Sequence, residues 1–183
     1  STLFKTGSWM RGRLFLLDLG FFKYRRFALI DENDGFFVSR LKRSANPLIT
    51  EELEEWRGRA IPLVGKQVFD IVGDLRRKEI DVTVEVSVKR RPYGEKQSVT
   101  PKRFRVVGVR DEDADDGYRL YMTNLPSTEF TPAEVSVLYR ARWSVELLFR
   151  ELKSRYELGS FQTEKPHIVR IQVLAALLTL VVS

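Results

Sequence analysis

One long helical segment constrains this sequence more than any other feature, because it fixes which side chains can share one face. Thr131 is placed as the N-cap, Pro132 occupies the first helical position, and Glu134 follows the cap in the pattern of a capping box. The segment continues to Glu157, and no glycine interrupts it before Gly159. At about 100° of rotation per residue, its apolar residues form one arc that is predicted to face a core: Val137, Leu138, Ala141, Val145, Leu148, Phe149 and Leu152.

Beside this arc lies a row of polar side chains. Tyr139, Arg142, Glu146 and Lys153 fall within about 60° of each other on the helical projection. Charged residues at the edge of an apolar stripe are commonly a solvated boundary, with their stems lying over the core. The residues alone therefore leave two interpretations open, a solvated boundary or a functional row.

The spacing Tyr-x2-Arg-x3-Glu-x6-Lys resembles the YREK motif of the DDE-type transposases in the insertion-sequence-four group of bacterial and archaeal mobile elements. The context around it is also typical of that group: Arg142, Trp143, Glu146, Phe149, Arg150, Glu151, Leu152 and Lys153. The resemblance implies an α/β (α+β) fold with a ribonuclease-H-like transposase/integrase core. It also implies DNA transposition, by metal-dependent cleavage of transposon ends and strand transfer to target DNA.

The composition limits the partners and the chemistry. A net charge of +6 and a pI near 9.6 suit an anionic partner such as nucleic acid. The absence of cysteine excludes disulfides, thiolate zinc sites and cysteine nucleophiles, and the single histidine, His167, excludes a cluster of several histidine ligands. The most apolar run, Val173 to Val182, is too short to span a bilayer, so no membrane partner is expected.

A short apolar run ends in the first candidate acid. The large apolar residues from Leu14 to Leu17 predict a buried strand, and Asp18 follows at its carboxyl end, where open α/β sheets bind their ligands. An aspartate close before Gly20 is also common in turns, and the residues alone favour that interpretation. The resemblance favours the other one, because the second catalytic aspartate of these transposases stands in a pattern like that of Asp18 to Tyr24.

The remaining elements follow from periodicity and turn residues. Strict alternation of apolar and polar residues makes the strand from Ile80 to Lys89 the clearest of them. The segment from Glu51 to Arg59 is predicted as a short acidic helix or a loop. The other predicted helices cover Lys23 to Asn33, with a stop at Gly35, and Val68 to Leu75, and the other predicted strands cover Phe36 to Arg40, Phe104 to Val109 and Tyr118 to Met122.

These elements divide the chain into three predicted parts. Residues 1–78 form part of a ribonuclease-H-like catalytic core, incomplete at its N-terminal side. Residues 79–125 form an inserted antiparallel β subdomain, and residues 126–183 form the C-terminal helices that carry the YREK motif. Transposases of the group carry a β-rich insertion at this place, so the resemblance implies the same division.

Basic residues concentrate in the predicted β-rich insertion, with Tyr93 and Phe104 between them. That combination suits a groove for the DNA backbone with aromatic stacking. Exposed hairpins are also often rich in lysine and arginine for solubility alone, so both interpretations stay open. The cluster consists of Lys89, Arg90, Arg91, Lys96, Lys102, Arg103 and Arg105, and the DNA-binding candidates among them are Arg90, Arg91, Lys102 and Arg103.

The acidic run from Asp111 to Gly117 invites a calcium interpretation, which its spacing excludes. An EF-hand loop requires glycine at its sixth position and glutamate at its twelfth, and counting from Asp111 those positions hold Asp116 and Met122. A solvated hairpin loop is predicted instead.

The resemblance also assigns the chemistry of the site. DDE transposases use two aspartates and a glutamate to hold Mg²⁺ or Mn²⁺, and Asp18 and Glu146 match the second aspartate and the glutamate. None of the 17 residues before Asp18 is acidic, so the first aspartate is missing. The chain is therefore expected to be a fragment that is inactive alone, or a defective relative. The residues expected to grip phosphates around the scissile position are Tyr139, Arg142 and Lys153, whereas Trp143 is expected to pack.

Three functions follow from these interpretations. The first is a transposase acting on double-stranded DNA, at transposon ends and target, with self-association in a synaptic complex. The second is a non-catalytic DNA-binding remnant of such an enzyme, and the third is an unrelated soluble interaction domain whose YREK spacing is accidental. For the first, a cytoplasmic, nucleoid-associated location in a bacterium or archaeon is expected.

Overall fold

A mixed sheet of six strands forms the centre of the fold. The computed structural model describes residues 6–53, 62–89, 98–155, 171 and 174, with the backbone alone at 145, 148, 149, 151–153 and 155. The strand order is β1-β2-β6-β5-β4-β3. The strands are β1 Leu14–Leu17, β2 Phe36–Arg40, β3 Leu48–Glu52, β4 Glu79–Lys89, β5 Val99–Arg110 and β6 Tyr118–Thr123, and the helices are α1 Tyr24–Asp31, α2 Val68–Ile71, α3 Pro132–Arg140 and α4 Arg142–Arg155. The predicted α+β class is confirmed.

The chain divides into two compact units, Ser1–Tyr139 and Arg140–Ser183. The first unit holds the whole sheet together with α1, α2 and α3. None of the helices among the described residues is long and apolar enough to cross a membrane. The apolar run from Val173 to Val182 lies outside the described residues, apart from residue 174.

The strands of the predicted insertion continue the sheet that begins with β1 and β2. β1 and β2 are parallel, and β2 pairs antiparallel with β6 from Val38↔Thr123 to Arg40↔Tyr121. β6 then pairs with β5, and β5 with β4. The sequence predicted an antiparallel sheet of their own for these strands, and the structure instead joins them to β2. The division of the chain at residues 78 and 125 stays a prediction.

One face of the sheet is covered by α1 and by the segment around α2. Phe27 of α1 stacks on Phe37 of β2 with 4.4 Å between ring centroids, and Phe104 of β5 meets Phe37 edge-on at 5.3 Å. All three side chains are buried. Phe104 is therefore a core residue, and the prediction that it stacks on nucleic-acid bases is wrong for this structure.

The end of α1 differs in detail from the prediction. The residue with a left-handed backbone is Asp34, at φ 56°, and not Gly35. Gly35 is required for another reason, since a Cβ there would lie 2.9 Å from the Ile30 side chain and 3.0 Å from the Met10 carbonyl oxygen. The predicted stop at this point is thus correct in place and different in mechanism.

The segment between β2 and β4 also departs from the prediction. Glu51 and Glu52 belong to β3, where a short acidic helix or a loop was predicted, and residues 54–61 lie outside the described part. The predicted helix from Val68 to Leu75 is confirmed in its first turn, and it then narrows to a 3-10 turn over Val72–Asp74.

The opposite face of the sheet is covered by α3. Val135 and Tyr139 of this helix pack with Val38, Val107 and Tyr121 of the sheet. The predicted apolar arc is only partly correct in α3, because Leu138 packs against this cluster but Val137 is 59% exposed, whereas Tyr139 of the polar row is only 5% exposed. The arc was drawn for one unbroken helix, whereas α3 ends at Arg140 and α4 begins at Arg142, with Ala141 in a turn.

Candidate functional site

Asp18 stands where the sequence placed it, directly after β1. Its backbone is extended, and it precedes a 3-10 turn over Leu19–Phe21, in which the Phe21 N–H donates to the Asp18 carbonyl oxygen at 2.8 Å. Asp18 is an exposed residue. Both interpretations of the sequence were therefore partly correct, since Asp18 ends a strand and also opens a turn.

Strand register sets Arg40 beside Asp18. The last paired position of β1 and β2 is Leu17↔Ser39, so Asp18 and Arg40 are the next residues at the carboxyl ends of two parallel strands. Adjacent strands lie about 4.8 Å apart, and residues in register point to the same face of the sheet. The sheet thus places a carboxylate and a guanidinium at one edge, the position at which α/β sheets bind ligands.

The same register brings Tyr139 of the YREK row to this face. Arg40 pairs with Tyr121 of β6, and the Tyr121 ring lies 5.1 Å from the Tyr139 ring between centroids. The Ser136 hydroxyl of α3 donates to the Tyr121 hydroxyl at 3.3 Å. Tyr139 packs in this structure, and its predicted contact with a DNA phosphate stays a prediction.

The other described members of the YREK row belong to the second unit. Near the start of α4, the Arg142 Nη1 lies 2.5 Å from the Glu146 Oε1. Glu146 is an exposed residue, and its side chain keeps 46% of its surface accessible. Trp143 was expected to pack, but it is 57% exposed and lies 5.7 Å from the Arg142 guanidinium carbon. Lys153 belongs to α4, and the structure describes only its backbone.

The chemistry of these donors suits a hard divalent cation. Mg²⁺ is commonly bound in proteins by one or two carboxylates, with water and substrate phosphates completing the shell, and both Asp18 and Glu146 are exposed carboxylates. Among the described residues, no group of three or more acidic or histidine side chains could hold a metal by itself. The shared site of Asp18 and Glu146 spans the two units and stays a prediction.

The candidate DNA-binding residues of β5 do not share one face. Lys102 is half-buried and its Nζ lies 2.6 Å from the Asp31 carboxylate of α1, whereas Arg103 points to the opposite face, where its Nε lies 3.8 Å from Glu85. Arg90 and Arg91 lie outside the described residues. The sequence grouped these bases because they are close along the chain, and the pleat of the strand separates them.

Arg105, also part of the basic cluster, is a structural residue. Its Nε and Nη2 donate to the two Asp81 oxygens at 2.7 and 2.6 Å, and both side chains are less than 9% exposed. A buried guanidinium held in this bidentate way cannot reach DNA. The alternation of β4 predicted Asp81 on the polar side, and its burial with Arg105 was not foreseen.

The acidic run forms the predicted hairpin between β5 and β6. The Asp111 N–H donates to the Gly117 carbonyl oxygen at 3.0 Å, and Gly117 adopts the left-handed conformation at φ 71°. Its carboxylates are less solvated than predicted, because Asp111 pairs with Arg119 and Asp116 with Arg43.

These features define a mixed α+β domain that sets a carboxylate and basic side chains at the carboxyl ends of two parallel strands. The profile of the family described as Transposase DDE domain matches residues 2–182. The chain belongs to this family. The third hypothesis, an unrelated interaction domain, is therefore wrong.

Individual relatives agree with the family. The y4zB protein of Sinorhizobium fredii, whose name describes it as a transposase, is 28% identical over 168 residues, which cover 91% of this chain and 40% of that protein. The transposase for insertion sequence element IS231F of Bacillus thuringiensis subsp. israelensis is 22% identical over 195 residues, with 92% and 40% covered. The transposase for insertion sequence element IS421 of Escherichia coli is 34% identical over 77 residues, with 42% and 20% covered. The chain thus spans less than half the length of these relatives.

Proposed function

We propose that the protein to which this chain belongs is a DDE transposase of the insertion-sequence-four group, which cleaves transposon ends and joins them to target DNA. The observation that carries the proposal is the family match over residues 2–182, with Asp18 at the carboxyl end of β1 as the candidate second aspartate. The YREK spacing of α3 and α4 supports the subgroup, and the sheet with its parallel β1 and β2 supports a ribonuclease-H-like core.

Asp18 and Glu146 are proposed to hold the divalent cation, Mg²⁺ or Mn²⁺, that transposases of this family normally use. Such a cation, when bound, polarises a phosphoryl oxygen and helps to generate the nucleophile. Arg142 neutralises Glu146 in the structure, so we infer that it turns to a DNA phosphate when the carboxylate binds the cation. Lys153 and Tyr139 complete the proposed phosphate contacts, with lysine acting as a point charge.

The first aspartate is proposed to stand on a strand that pairs with β1. Among the described strands β1 pairs only with β2, so its other edge is open to a further partner. None of the 17 residues before Asp18 is acidic. We therefore propose that the chain alone is inactive, and that the full-length protein supplies the missing carboxylate.

The proposed partners are double-stranded DNA, at the transposon ends and the target, and a second copy of the protein in a synaptic complex. The net charge of +6 supports an anionic partner. The proposed location is the cytoplasm of a bacterium or archaeon, in association with the nucleoid. The Arg90 and Arg91 segment and the exposed Arg103 are proposed as additional DNA contacts, whereas the ion pair of Lys102 with Asp31 weakens the case for that residue.

A second candidate function is a DNA-binding remnant without catalytic activity. The specific observation in its favour is the absence of any acidic residue before Asp18. The two candidates differ in cleavage and agree in DNA binding, so both properties need to be measured on the same protein.

The decisive experiment compares Asp18→Asn and Glu146→Gln in the full-length protein, with Glu129→Gln as an exposed control. On DNA carrying the terminal repeats of the element, with Mg²⁺ or Mn²⁺, both site variants should lose cleavage while duplex binding stays within about twofold, because an isosteric amide keeps the shape and loses the charge that holds the cation. Wild-type cleavage that survives in Glu146→Gln contradicts the assignment. Binding without cleavage by the wild type supports the remnant instead.

A further inference from the structure

A cavity of about 310 Å³ lies in the first unit, where β2 ends. It is bounded by the turn after β1, by the segment that follows β2, by α2 and by the acidic hairpin, residues 111–117. The side chains on which the argument rests are Leu19, Lys42, Arg43, Phe69, Asp116 and Arg119. The proposed function assigns no role to these six side chains.

One wall of the cavity is basic, and a ring contact restricts the orientation of one of its side chains. The Arg43 guanidinium carbon lies 5.4 Å from the centre of the Phe69 ring, which limits the orientations of this exposed side chain. Lys42 is exposed next to it, and no ion pair of Lys42 is found among the residues that the structure describes. Arg119 of β6 adds a third cation to the lining.

The opposite wall is acidic, because Asp113, Asp115 and Asp116 line it against the four cations Arg40, Lys42, Arg43 and Arg119. Asp116 accepts a hydrogen bond from the Arg43 Nη1, and Asp111 accepts one from the Arg119 Nε. The hydrogen bond and the charge of Asp116 both raise the pKa of the Arg43 guanidinium. Asp116 keeps only 21% of its side-chain surface accessible, so the hairpin holds its carboxylate against the basic wall.

The Arg43 guanidinium has the chemistry that recognises a phosphate. The Asp116 carboxylate already pairs with the Arg43 guanidinium in the structure. A phosphate offers an arginine oxygen acceptors of the same kind. The Arg43 side of this ion pair is 66% exposed, and pairs open to solvent contribute little to stability, so an incoming phosphate can compete with Asp116 for Arg43. The contact with the Phe69 ring limits how far Arg43 must reorient to meet that phosphate.

The cavity is also adjacent to the candidate acid. Leu19, which lines it, follows Asp18 directly, and Arg40 at the end of β2 is both a lining residue and the neighbour of Asp18 in register. Each strand of duplex DNA carries one phosphate per about 3.4 Å of helix axis. A strand whose scissile phosphate lies at Asp18 therefore carries further phosphates at short distances on both sides of it.

We propose that this cavity binds a backbone phosphate of duplex DNA through Arg43 and Lys42, and that Asp116 occupies Arg43 until DNA displaces it. The acidic hairpin is then a phosphate mimic that weakens binding of DNA at this point. This inference rests on the proposed function, since it requires that the protein bind duplex DNA.

The test measures the affinity of the full-length protein for a short duplex over a series of salt concentrations. Arg43→Ala should weaken binding and reduce the slope of log K against log salt by about 1, because one phosphate contact is lost. Asp116→Asn should tighten binding by about two- to fivefold, the range expected when an exposed competing pair is removed. In the Arg43→Ala background, Asp116→Asn should have no further effect.

The Arg11 and Asp34 pair provides matched controls. Both side chains are highly exposed, at 81% and 75%, and the Arg11 Nε lies 3.8 Å from the Asp34 carboxylate, away from the cavity lining. Arg11→Ala and Asp34→Asn change the net charge by the same amounts as the two cavity variants. We therefore expect these two control variants to leave the slope of log K against log salt unchanged and to alter affinity by less than the cavity variants.

Two results overturn the inference. One is an Arg43→Ala slope equal to that of Arg11→Ala, and the other is an Asp116→Asn gain that equals the Asp34→Asn effect or persists without Arg43. If the wild type fails to bind duplex DNA at all, the proposed function fails, and the inference fails with it. Wild-type binding with unchanged cavity variants rejects the inference alone.

Discussion

At the scale of single residues, a buried ion pair links two neighbouring strands of the sheet. Arg105 of β5 donates two short hydrogen bonds to the Asp81 carboxylate of β4, and its Nη1 also donates to the Leu125 carbonyl oxygen at 3.3 Å. Both side chains are buried. Removing the charge of one partner leaves the other buried without compensation, which is among the largest destabilising changes that a single substitution can cause.

Asp81→Asn is accordingly expected to lower the free energy of unfolding by about 3 kcal/mol. Urea unfolding followed by circular dichroism measures this change. Glu85→Gln is the matched control, because Glu85 lies on the same strand and face but is 43% exposed and pairs only loosely with Arg103, at 3.8 Å. We expect the control to change stability by less than about 0.5 kcal/mol. Equal effects of the two variants would show that the buried pair is not special.

The same residues show what a sequence conveys at this scale. The position of Asp18 at the end of a strand could be predicted from the sequence, because the four apolar residues before it and the turn after it are local signals. Arg105 was grouped with the DNA-binding bases, since its partner Asp81 lies 24 residues away and only the register of β4 and β5 brings them together. The position of Arg40 next to Asp18 was likewise not predicted, because it follows from the register of β1 and β2.

At the scale of elements, α3 begins as the sequence predicted. The Thr131 N–H and hydroxyl donate to the Glu134 Oε2 at 2.8 and 2.9 Å, and the Glu134 N–H donates back to the Thr131 hydroxyl oxygen at 3.3 Å. The hydrogen bonds from the Thr131 backbone and then from its side chain lower the pKa of the Glu134 carboxyl. The capping box is thus confirmed in full.

Thr131→Ala should destabilise the first unit by about 1 kcal/mol, because the helix loses its N-cap hydroxyl. A carboxyl whose pKa is lowered in the folded state stabilises the fold above its ordinary pKa, and this contribution is lost as the pH falls through the lower folded value. The wild type should therefore lose stability below about pH 4.5 more steeply than Thr131→Ala. Thr128→Ala, in the exposed turn before α3, is the control and should behave as the wild type. Parallel acid profiles for the wild type and Thr131→Ala would contradict the assignment.

Unlike its capping box, the end of α3 and its buried face could not be predicted from the sequence. A capping box is complete within four residues, whereas the break at Ala141 carries no glycine or proline to mark it. The buried face of α3 is set by contact with Tyr121 and Val107 of the sheet, and that contact selects Tyr139 over Val137. Alternation along β4 was likewise readable as a strand, while the pairing of β6 with β2 was not, because strand pairing is a long-range property.

At the scale of the whole molecule, the proposed cation site requires one carboxylate from each unit. Asp18 comes from the end of β1, and Glu146 comes from the first turns of α4. The family match covers residues 2–182 and therefore includes residues of both units.

The most direct measurement of this claim is a crystal structure of the full-length protein with Mn²⁺ and duplex DNA carrying the end of the element, with the cations located by anomalous scattering. We predict that oxygens of Asp18 and Glu146 both lie at coordination distance, about 2.1 Å for a Mg²⁺-type site, from cations of one cluster. A well-ordered complex in which the two carboxylates are far apart and share no cation would contradict it.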